Sequence, residues 1–403
     1  MSKAGLLPGY VKPDPGEMPS GWIASQLGNL CKIVQGGRLG VSKQDDYGRG
    51  SVRAFSAAGQ DGYVNVAEFA EADGVVLSSI GANCGRAFFA SGRWTTLANT
   101  QAIIPRRELD ARFLYYRVND ESFWLRSGSA QPFIKPSSIS TSWIALPPLE
   151  EQRRIAEILD KLDSQMRTSE SLCAKLADVI AGLQHALLND AVVGGTTRSL
   201  REGPVSSLLG DEFPGEWGEA APRSSLVECA VLRSTNLSDR GIDYSGAATR
   251  FVPSAKAQRK RLRRGDILLE ASGGGPGVPV GRVAVFDPPD ERRYLVSNFF
   301  RTLRTSSGVN SRYVAWLLDF VYSTPGIWSF QQQTTGIINL NVRDYLAMRV
   351  SVPDRSEQDR TVEALGSAAG RVALEQDLSG KLRQIRAAVA SDLLSGRVRT
   401  VAA

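Results

Sequence analysis

The sequence predicts an α+β protein in which two mixed globular domains alternate with two long, paired helices. Three observations support this prediction. A heptad seam runs through residues 147–190, a second copy of that stretch lies at residues 353–394, and short apolar runs broken by turns precede each copy. The chain has 403 residues, of which 42% are hydrophobic, so it is long enough for two to three domains with real cores.

The first long helix is predicted from Pro147 to Asp190. Pro147 and Pro148 preset its start, and acidic residues in the first turn suit the helix dipole. Its seam residues recur in alternating steps of four and three, which predicts a helix paired along its length with another. They are Ile155, Leu159, Leu162, Met166, Ser169, Cys173, Leu176, Ile180, Leu183 and Leu187. The alternative is a core helix of a globular bundle, which would need a wider apolar face.

The predicted partner of this helix is in the same chain, because Pro353 to Leu394 aligns with the first stretch at an offset of 206 residues without a gap. Ser379 and Arg386 stand at seam positions and three glycines lie inside, so the second helix is predicted to be less regular. Its apolar seam residues are Leu365, Val372, Leu382, Val389 and Leu393.

The segments before the helices also repeat. Met18–Trp22 matches Phe213–Trp217, and Ala111–Leu114 matches Ser311–Val314. The chain is therefore predicted to be an internal repeat of about 200 residues, each a mixed globular unit followed by a long helix.

A tryptophan, a variable globular region and the helix-opening segment Pro147-Pro-Leu-Glu-Glu-Gln-Arg-Arg-Ile-Ala156, the whole repeated, resemble the DNA-specificity subunit of type I restriction–modification systems. The resemblance covers essentially the whole chain, although the second copy at Val352–Leu365 is degraded. It implies two target-recognition domains, each reading half of a bipartite DNA site. It also implies that the helices form an antiparallel coiled coil with pseudo-two-fold symmetry that spaces these domains.

The same resemblance implies the partners. Two methyltransferase (modification) subunits would dock on this chain, and restriction subunits that translocate DNA would join through the complex. S-adenosylmethionine would then be bound by the methyltransferase, and this chain would need no cofactor. The predicted boundaries are 1–146 for the first recognition domain, 147–193 for the central helix, 194–352 for a linker and the second recognition domain, and 353–403 for the C-terminal helix.

Composition agrees with a polyanionic partner, since the net charge is +6 and the isoelectric point is near 9.2. The four cysteines have no partners at metal-ligand spacing and the chain has a single histidine, so no metal site is predicted and reduced core thiols are expected. No run of eighteen apolar residues and no signal-peptide core occurs, and we expect a cytoplasmic protein that does not span a membrane.

In the first domain, strands are predicted at Val75–Ile80, Gly85–Ala90 and Thr100–Ile104, and a short helix at Arg112–Asn119. The Gly36–Arg38 and Gly81–Asn83 turns and the polar stretch Gly128–Lys135 are candidate DNA-contacting loops, although most glycine-rich turns merely reverse the chain. The candidate residues are Arg38, Lys43, Asn83, Arg86, Gln131 and Lys135.

In the second domain, residues 191–215 are predicted to be a linker, with the domain running from Trp217 to Met348 and a helix at Tyr313–Tyr322. Six of the nine residues from Lys256 to Arg264 are basic, which suits phosphate contacts. The alternative is that this stretch is a solvated helix face or a flexible loop. Amides near residue 332 suit adenine edges. The candidates are Arg233, Asn236, Lys260, Arg261, Arg263, Arg264, Gln332, Asn339 and Asn341.

Two segments resemble methyltransferase motifs. Leu269–Gly275 is similar to a glycine-rich cofactor loop, and Asp287–Asp290 to an Asn/Asp-Pro-Pro-aromatic motif. Asp290 stands where the aromatic residue should be, and the segments lie too close together for a doubly wound sheet. We therefore expect hairpin turns flanking a strand at Val283–Phe286, and a non-catalytic chain. The remaining alternatives are a coiled-coil adaptor with two protein-binding lobes, and a specificity subunit of a related defence system.

Overall fold

The computed structural model describes residues 7–41, 51–128, 130–193, 201–238, 241–273, 277–334 and 337–400. The chain divides into two compact units. Unit 1 consists of Met1–Glu170 with Leu378–Ala403, and unit 2 consists of Ser171–Asp377. Each unit therefore combines one globular domain with part of both long helices.

The elements of unit 1 before the first long helix are β1 Ile23–Gln26, α1 Leu27–Leu30, β2 Cys31–Gln35, β3 Val52–Ser56, β4 Gly59–Val64, β5 Gly74–Ser78, β6 Ala87–Ala90, β7 Trp94–Thr96, β8 Thr100–Pro105, α2 Ala111–Val118, α3 Pro136–Thr141 and β9 Trp143–Leu146. They form a four-stranded antiparallel sheet in the order β2-β8-β5-β6 and a three-stranded sheet in the order β4-β3-β7, whose β3 and β7 are parallel. A separate pair, β1 with β9, leads directly into the long helix. The strands and the short helix predicted for this domain are confirmed.

Residues 7–22 contain no helix or strand, and backbone hydrogen bonds attach them to the rest of unit 1. Gly9 N–H donates to the carbonyl of Phe123 (2.7 Å), and Trp143 N–H donates to the carbonyl of Gly9 (2.6 Å). The guanidinium of Arg117 donates to the carbonyl of Leu7 (2.7 Å). The pKa of Arg117 is lowered to about 10, mainly by burial.

The long helices are α4, Leu149–Val193, and α8, Arg355–Ser395. Between them, unit 2 has the elements β10 Arg201–Pro204, β11 Leu209–Pro214, β12 Leu226–Leu232, β13 Leu237–Ser238, β14 Gly241–Ile242, β15 Ala248–Pro253, α5 Ser254–Arg259, β16 Ile267–Glu270, β17 Ser272–Gly273, β18 Val283–Val285, β19 Tyr294–Val296, β20 Phe300–Thr305, α6 Ser311–Ser323, β21 Gln331–Thr334, β22 Ile337–Leu340, α7 Val342–Ala347 and β23 Arg349–Val352. Strand β18 and helix α6 confirm two further predictions.

The two units repeat one topology. In unit 2 the four-stranded sheet runs β11-β20-β16-β18, the three-stranded sheet runs β15-β12-β19 with β12 and β19 parallel, and β10 pairs with β23 before α8. Each of these sheets matches a sheet of unit 1, strand for strand. Unit 2 adds the hairpin β13-β14, the sheet β17-β22-β21 and helix α5.

The strand order corrects the predicted linker and one predicted match. Residues 201–214 form β10 and β11, which are integral strands of unit 2, so the prediction of a linker over residues 191–215 was wrong. Trp22 directly precedes β1, whereas Trp217 follows β11, which corresponds to β2. The tryptophans are therefore not equivalent positions, and a short sequence similarity was misleading.

The matched starts of α2 and α6 are confirmed. The side chain of Asp110 accepts from the first N–H groups of α2 and that of Asn310 does the same for α6, which satisfies donors that a helix leaves unpaired. In each unit a buried glutamine then ties this cap to the long helix. Oε1 of Gln152 accepts from Asp110 N–H (2.8 Å), and Oε1 of Gln358 accepts from Asn310 N–H (2.9 Å).

The seam of α4 lies against unit 1 at its start. Ile155 and Leu159 are fully buried, and the following seven seam residues, from Leu162 to Leu183, are half-buried. The last predicted position was wrong, because Leu187 is 37% exposed while Leu188 is buried and joins the core of unit 2. A strict heptad drifts by about 20° per repeat on a straight α-helix, so over four heptads the inward position moves to a neighbouring residue.

Helix α8 continues without a break through its three glycines, each of which faces open space. Leu365 and Leu393 are buried, and Val372, Leu382 and Val389 are half-buried, as their seam positions predict. Within unit 1 the helices run antiparallel, since Arg383 pairs with Glu170 and Arg399 pairs with Glu151.

Arg386, a polar residue at a seam position, has partners in unit 1. Its guanidinium lies 2.8 Å from Asp163 and 5.7 Å from the ring centroid of Tyr116. The hydroxyl of Tyr116 is shared between Asp160 (2.7 Å) and Asp163 (2.9 Å). Burial first, and then these hydrogen bonds, raise the pKa of Tyr116. Arg386 at its seam position therefore belongs to a hydrogen-bonded network that connects Tyr116 of the globular domain to both long helices.

Part of α4 is apolar enough to resemble a membrane span, with a mean hydropathy of 1.2 over an 18-residue window. This region of the helix also contains Lys175 and Asp178, and a charged side chain at the centre of a bilayer costs roughly 2.5–3.5 kcal/mol on the insertion scale. The heptad seam and the length of the helix therefore fit a coiled coil better than a membrane span.

Candidate nucleic-acid interface

In unit 1 several connections meet at one end of the four-stranded sheet. Gly36 N–H donates to the carbonyl of Thr100 (2.9 Å), and Ser79 N–H donates to the carbonyl of Asn99 (2.9 Å). The polar stretch predicted near residue 131 joins them, because Gly81 N–H donates to the carbonyl of Pro132 (3.0 Å). We call residues 36–38, 79–86, 97–99, 127–128 and 130–135 the loop edge of unit 1.

The loop edge of unit 1 brings five predicted DNA-contacting residues together. Arg38, Arg86, Gln131 and Lys135 are exposed, and Asn83 is half-buried. Arg86 lies 3.5 Å from Glu121, which also pairs with Arg126 (3.2 Å). Lys43, the sixth candidate, lies outside the described residues. The edge therefore presents cationic and amide groups, the types that contact phosphates and base edges.

Unit 2 builds an equivalent edge from the same backbone contacts. Gly215 N–H donates to the carbonyl of Phe300 (3.0 Å), and Ala271 N–H donates to the carbonyl of Phe299 (2.7 Å). A Cβ at Gly36 or at Gly215 would collide with the neighbouring backbone, so both turns need glycine. We call residues 215–217, 233–235, 271–273, 297–299, 331–334 and 337–340 the loop edge of unit 2.

The equivalence gives two residue pairs, of which sequence reasoning had identified only Arg38 as a contact residue. Arg38 corresponds to Trp217, and Asn99 corresponds to Phe299, since each pair follows the same hydrogen-bonded backbone positions. Among the described residues, Asn99 is the one non-glycine residue with a positive φ (65°), a conformation that asparagine tolerates. Phe299 is 46% exposed. Asn99 lies in the connection between β7 and β8, and Phe299 lies in the connection between β19 and β20. No local sequence signal marks either connection.

Several predicted contact residues of unit 2 are bonded within the protein. Asn236 is 2% exposed, accepts from Arg233 N–H (2.9 Å) and donates to the carbonyl of Asp243 (3.1 Å). Asn341 is the N-cap of α7 and donates to Asp344 (2.6 Å). Their amides stabilise a turn and a helix start.

The hairpin β21-β22 places the other two amides beside the loop edge. Gln332 and Asn339 are opposite each other in the hairpin, and Gln332 is exposed. Asn339 Oδ1 accepts from the hydroxyl of Ser272 (2.6 Å), which attaches the hairpin to the segment that follows β16. Of the predicted amides in unit 2, Gln332 is therefore the most available to a ligand.

The basic stretch forms α5 and the turn before β16, and some of its charges are paired. Lys260 donates to the carbonyl of Gly215 (2.8 Å) and to Glu216 (3.1 Å), so it supports the glycine turn. Burial alone would raise the pKa of Glu216, but the hydrogen bond and charge of Lys260 hold it below its usual value. Arg261 and Arg263 are exposed, and no described carboxylate pairs with either.

Arg264 and the methyltransferase-like segments have structural partners. Asp287 pairs with Arg264 and, at 3.3 Å, with Arg312. Glu270 is 3% exposed and holds the guanidinium of Arg282 (2.8 Å). Because β16 pairs with β18 in antiparallel fashion, the glycine-rich segment leads from one hairpin strand toward the other, although its Ser272 and Gly273 form β17, and Gly274 and Gly275 lie outside the described residues. Asp287–Asp290 leads from β18 to β19, which belong to different sheets, so the hairpin turn predicted there was wrong. The described residues contain no cluster of three or more His, Cys, Asp and Glu side chains that could hold a metal ion.

Comparisons with known proteins find similarity to one family. The profile described as type I restriction modification DNA specificity domain matches residues 19–177. The MjaVIII specificity subunit of Methanocaldococcus jannaschii is 20% identical over 95% of this chain and 94% of its own length. The EcoDI specificity subunit of Escherichia coli is 25% identical over 46% of this chain and 41% of its own length.

Solved structures agree with the fold. The S subunit of a type I system from M. genitalium superimposes with a TM-score of 0.62 at 13% identity, covering 96% of this chain and 99% of that chain. A chain from a study of the assembly of a type I system gives a TM-score of 0.54 at 17% identity, covering 96% and 100%. Residues 19–177 thus match the type I restriction modification DNA specificity domain, and over nearly its whole length the chain is similar to a type I specificity subunit.

Proposed function

We propose that this chain is the non-catalytic subunit that recognises a bipartite DNA site, with one half-site read by each unit. The main support is that one backbone topology presents two different loop edges. At equivalent positions unit 1 carries Arg38 and Asn99, and unit 2 carries Trp217 and Phe299. Since each base pair presents a distinct set of donors, acceptors and methyl groups in the major groove, unlike edges favour unlike half-sites.

Phosphate contacts would fix the position of each unit on the duplex. The exposed cations Arg38 and Lys135 lie on the loop edge of unit 1, and Arg261 and Arg263 are exposed in unit 2. The net charge of +6 is consistent with this role. Such contacts supply affinity and register, while base contacts supply specificity.

The long helices would set the spacing between half-sites and dock two methyltransferase subunits, through which restriction subunits join. S-adenosylmethionine would then be bound by the methyltransferase, in the cytoplasm. The ion pairs that engage Asp287 support a non-catalytic chain, because its carboxylate is held by Arg264 and Arg312.

A domain exchange tests this proposal. We expect that replacing Trp22–Ser142 by the corresponding region of a relative changes one half-site of the methylated sequence and leaves the other half-site intact. Genome-wide methylation mapping measures both. A change in both half-sites would contradict independent reading by the two units.

A protein-binding adaptor is the alternative from another class, and duplex binding distinguishes it. A DNA-recognition subunit assembled with its methyltransferase should lose duplex affinity steeply as salt rises, because binding releases counterions. An adaptor would show no such binding.

A further inference from the structure

A pocket of about 490 Å³ lies at the loop edge of unit 2. Its wall includes Trp217 from the turn after β11, Arg233 from the turn after β12, and Ser297, Asn298 and Phe299 from the connection between β19 and β20. Three separate connections therefore form one concave surface, of a volume typical of ligand sites.

One side of the pocket is aromatic. Phe299 is 46% exposed, and Trp217 is half-buried with the guanidinium of Arg250 3.9 Å from its ring centroid. The unit 1 counterparts of these two rings are Arg38 and Asn99, so the apolar wall is particular to unit 2. The shared fold does not require it.

Two hydrogen-bond donors in this wall have no partner. Ser297 is 3% exposed and its hydroxyl bonds to no described group. Nε of Arg233 is likewise buried without a partner, although Nη2 of the same side chain donates to the carbonyl of Gly246 (2.9 Å). Both atoms are themselves buried, on residues that line the pocket. Buried donors are normally satisfied, so we infer that each side chain turns toward the pocket to donate to an acceptor of a bound ligand.

The combination of an apolar wall with unpaired donors selects among base edges. In the major groove thymine presents the O4 acceptor beside its 5-methyl group, whereas guanine presents two acceptors, cytosine a donor, and adenine an acceptor with a donor. We propose that this pocket takes the major-groove edge of one thymine in the half-site read by unit 2. Phe299 contacts the methyl group, and Ser297 and Arg233 donate to O4. This inference rests on the proposed DNA-recognition function.

The test uses the complex of this chain with its methyltransferase and a duplex carrying its mapped site. Each thymine of the unit 2 half-site is replaced in turn by deoxyuridine, which lacks the methyl group. We expect about a fourfold loss of affinity at one position, the value of one buried methyl-sized group. With Phe299→Ala, that position should no longer distinguish thymine from deoxyuridine.

Two further variants separate this contact from a general loss of binding. Ser297→Ala should weaken binding to the thymine and deoxyuridine duplexes equally, because it removes a donor to O4 and leaves the methyl contact. Tyr10→Ala removes a ring that is 57% exposed in unit 1, and it should keep the fourfold discrimination.

The proposal is overturned if no deoxyuridine position weakens binding, if Phe299→Ala keeps the discrimination, or if the unit 2 half-site contains no A·T pair. A complex that binds its mapped duplex no better than random DNA would instead refute the proposed function. The parent complex on unsubstituted DNA distinguishes these two failures.

Discussion

Truncating the buried glutamine of one repeat should destabilise one unit and leave the other unchanged. Gln152 is fully buried, accepts from Asp110 N–H and donates to the carbonyls of Pro147 (2.9 Å) and Glu108 (3.1 Å). Its counterpart Gln358 accepts from Asn310 N–H and donates to the carbonyl of Pro353 (2.8 Å). Each side chain thus connects the cap of a recognition-domain helix to the start of a long helix.

Gln152→Ala leaves three backbone groups without these partners. An unsatisfied buried group costs about 1–3 kcal/mol, and since water can reach Glu108, we expect a total loss of about 2–4 kcal/mol in the free energy of unfolding of unit 1. For a unit of this size that corresponds to a decrease in Tm of about 5–15 °C. Gln358→Ala removes two hydrogen bonds and should cost unit 2 somewhat less.

Hydrogen exchange measured by mass spectrometry distinguishes the units. In Gln152→Ala the amides of α2 should exchange about 30–1000-fold faster, while those of α6 keep the parent rate. Gln358→Ala should show the reverse pattern. Arg153→Ala is the matched control, because this neighbouring side chain is 58% exposed and its pairing with Glu150 contributes little. Equal acceleration in both units, or none in either, would refute this account of the duplicated glutamine.

Three other changes test the helices and the charges. Leu176→Asp puts a charge into the half-buried seam, and we expect a misassembled complex with little methylation activity, measured by size-exclusion chromatography and by methyl transfer. Arg261→Gln with Arg263→Gln should lower affinity equally for specific and random DNA and reduce the salt slope by about 2, whereas Lys260→Gln should leave the slope unchanged because Lys260 is bonded to Gly215 and Glu216. Four residues inserted after both Leu172 and Leu378 lengthen each helix by about 6 Å. The unread spacer should grow by one to two base pairs on a methylation map, and an unchanged spacer in an active complex would contradict the spacing role.

The long helices could be predicted from the sequence because their signal is a local period. The seam from Ile155 to Leu183 and its copy in α8 needed only the spacing of apolar residues. The end of the seam could not be predicted in the same way, since Leu188 is inward because it packs on the core of unit 2. The paired Arg386 also needed the structure, because Tyr116 and Asp163 are distant in sequence.

The candidate interface was less predictable, because it depends on contacts between distant parts of the chain. No local pattern predicts that the backbone of Ser79 hydrogen-bonds to that of Asn99, or that the backbone of Gly81 hydrogen-bonds to that of Pro132. Residue type also fails to distinguish roles. Asn236 supports a turn, whereas Gln332 is exposed, although both carry the same amide group.

The composition of unit 1 has a consequence for the order of folding during synthesis. Its core includes Leu393 and Leu394, and Arg399 pairs with Glu151. Unit 1 therefore needs C-terminal residues that follow unit 2 in the sequence. Unit 2 is continuous from Ser171 to Asp377. At about 5–20 residues per second, the ribosome adds the intervening 207 residues in roughly 10–40 s. During this interval the N-terminal domain lacks its C-terminal residues, whereas the unit made after it can already fold. Nascent unit 1 is therefore the part that depends on protection from aggregation and proteolysis.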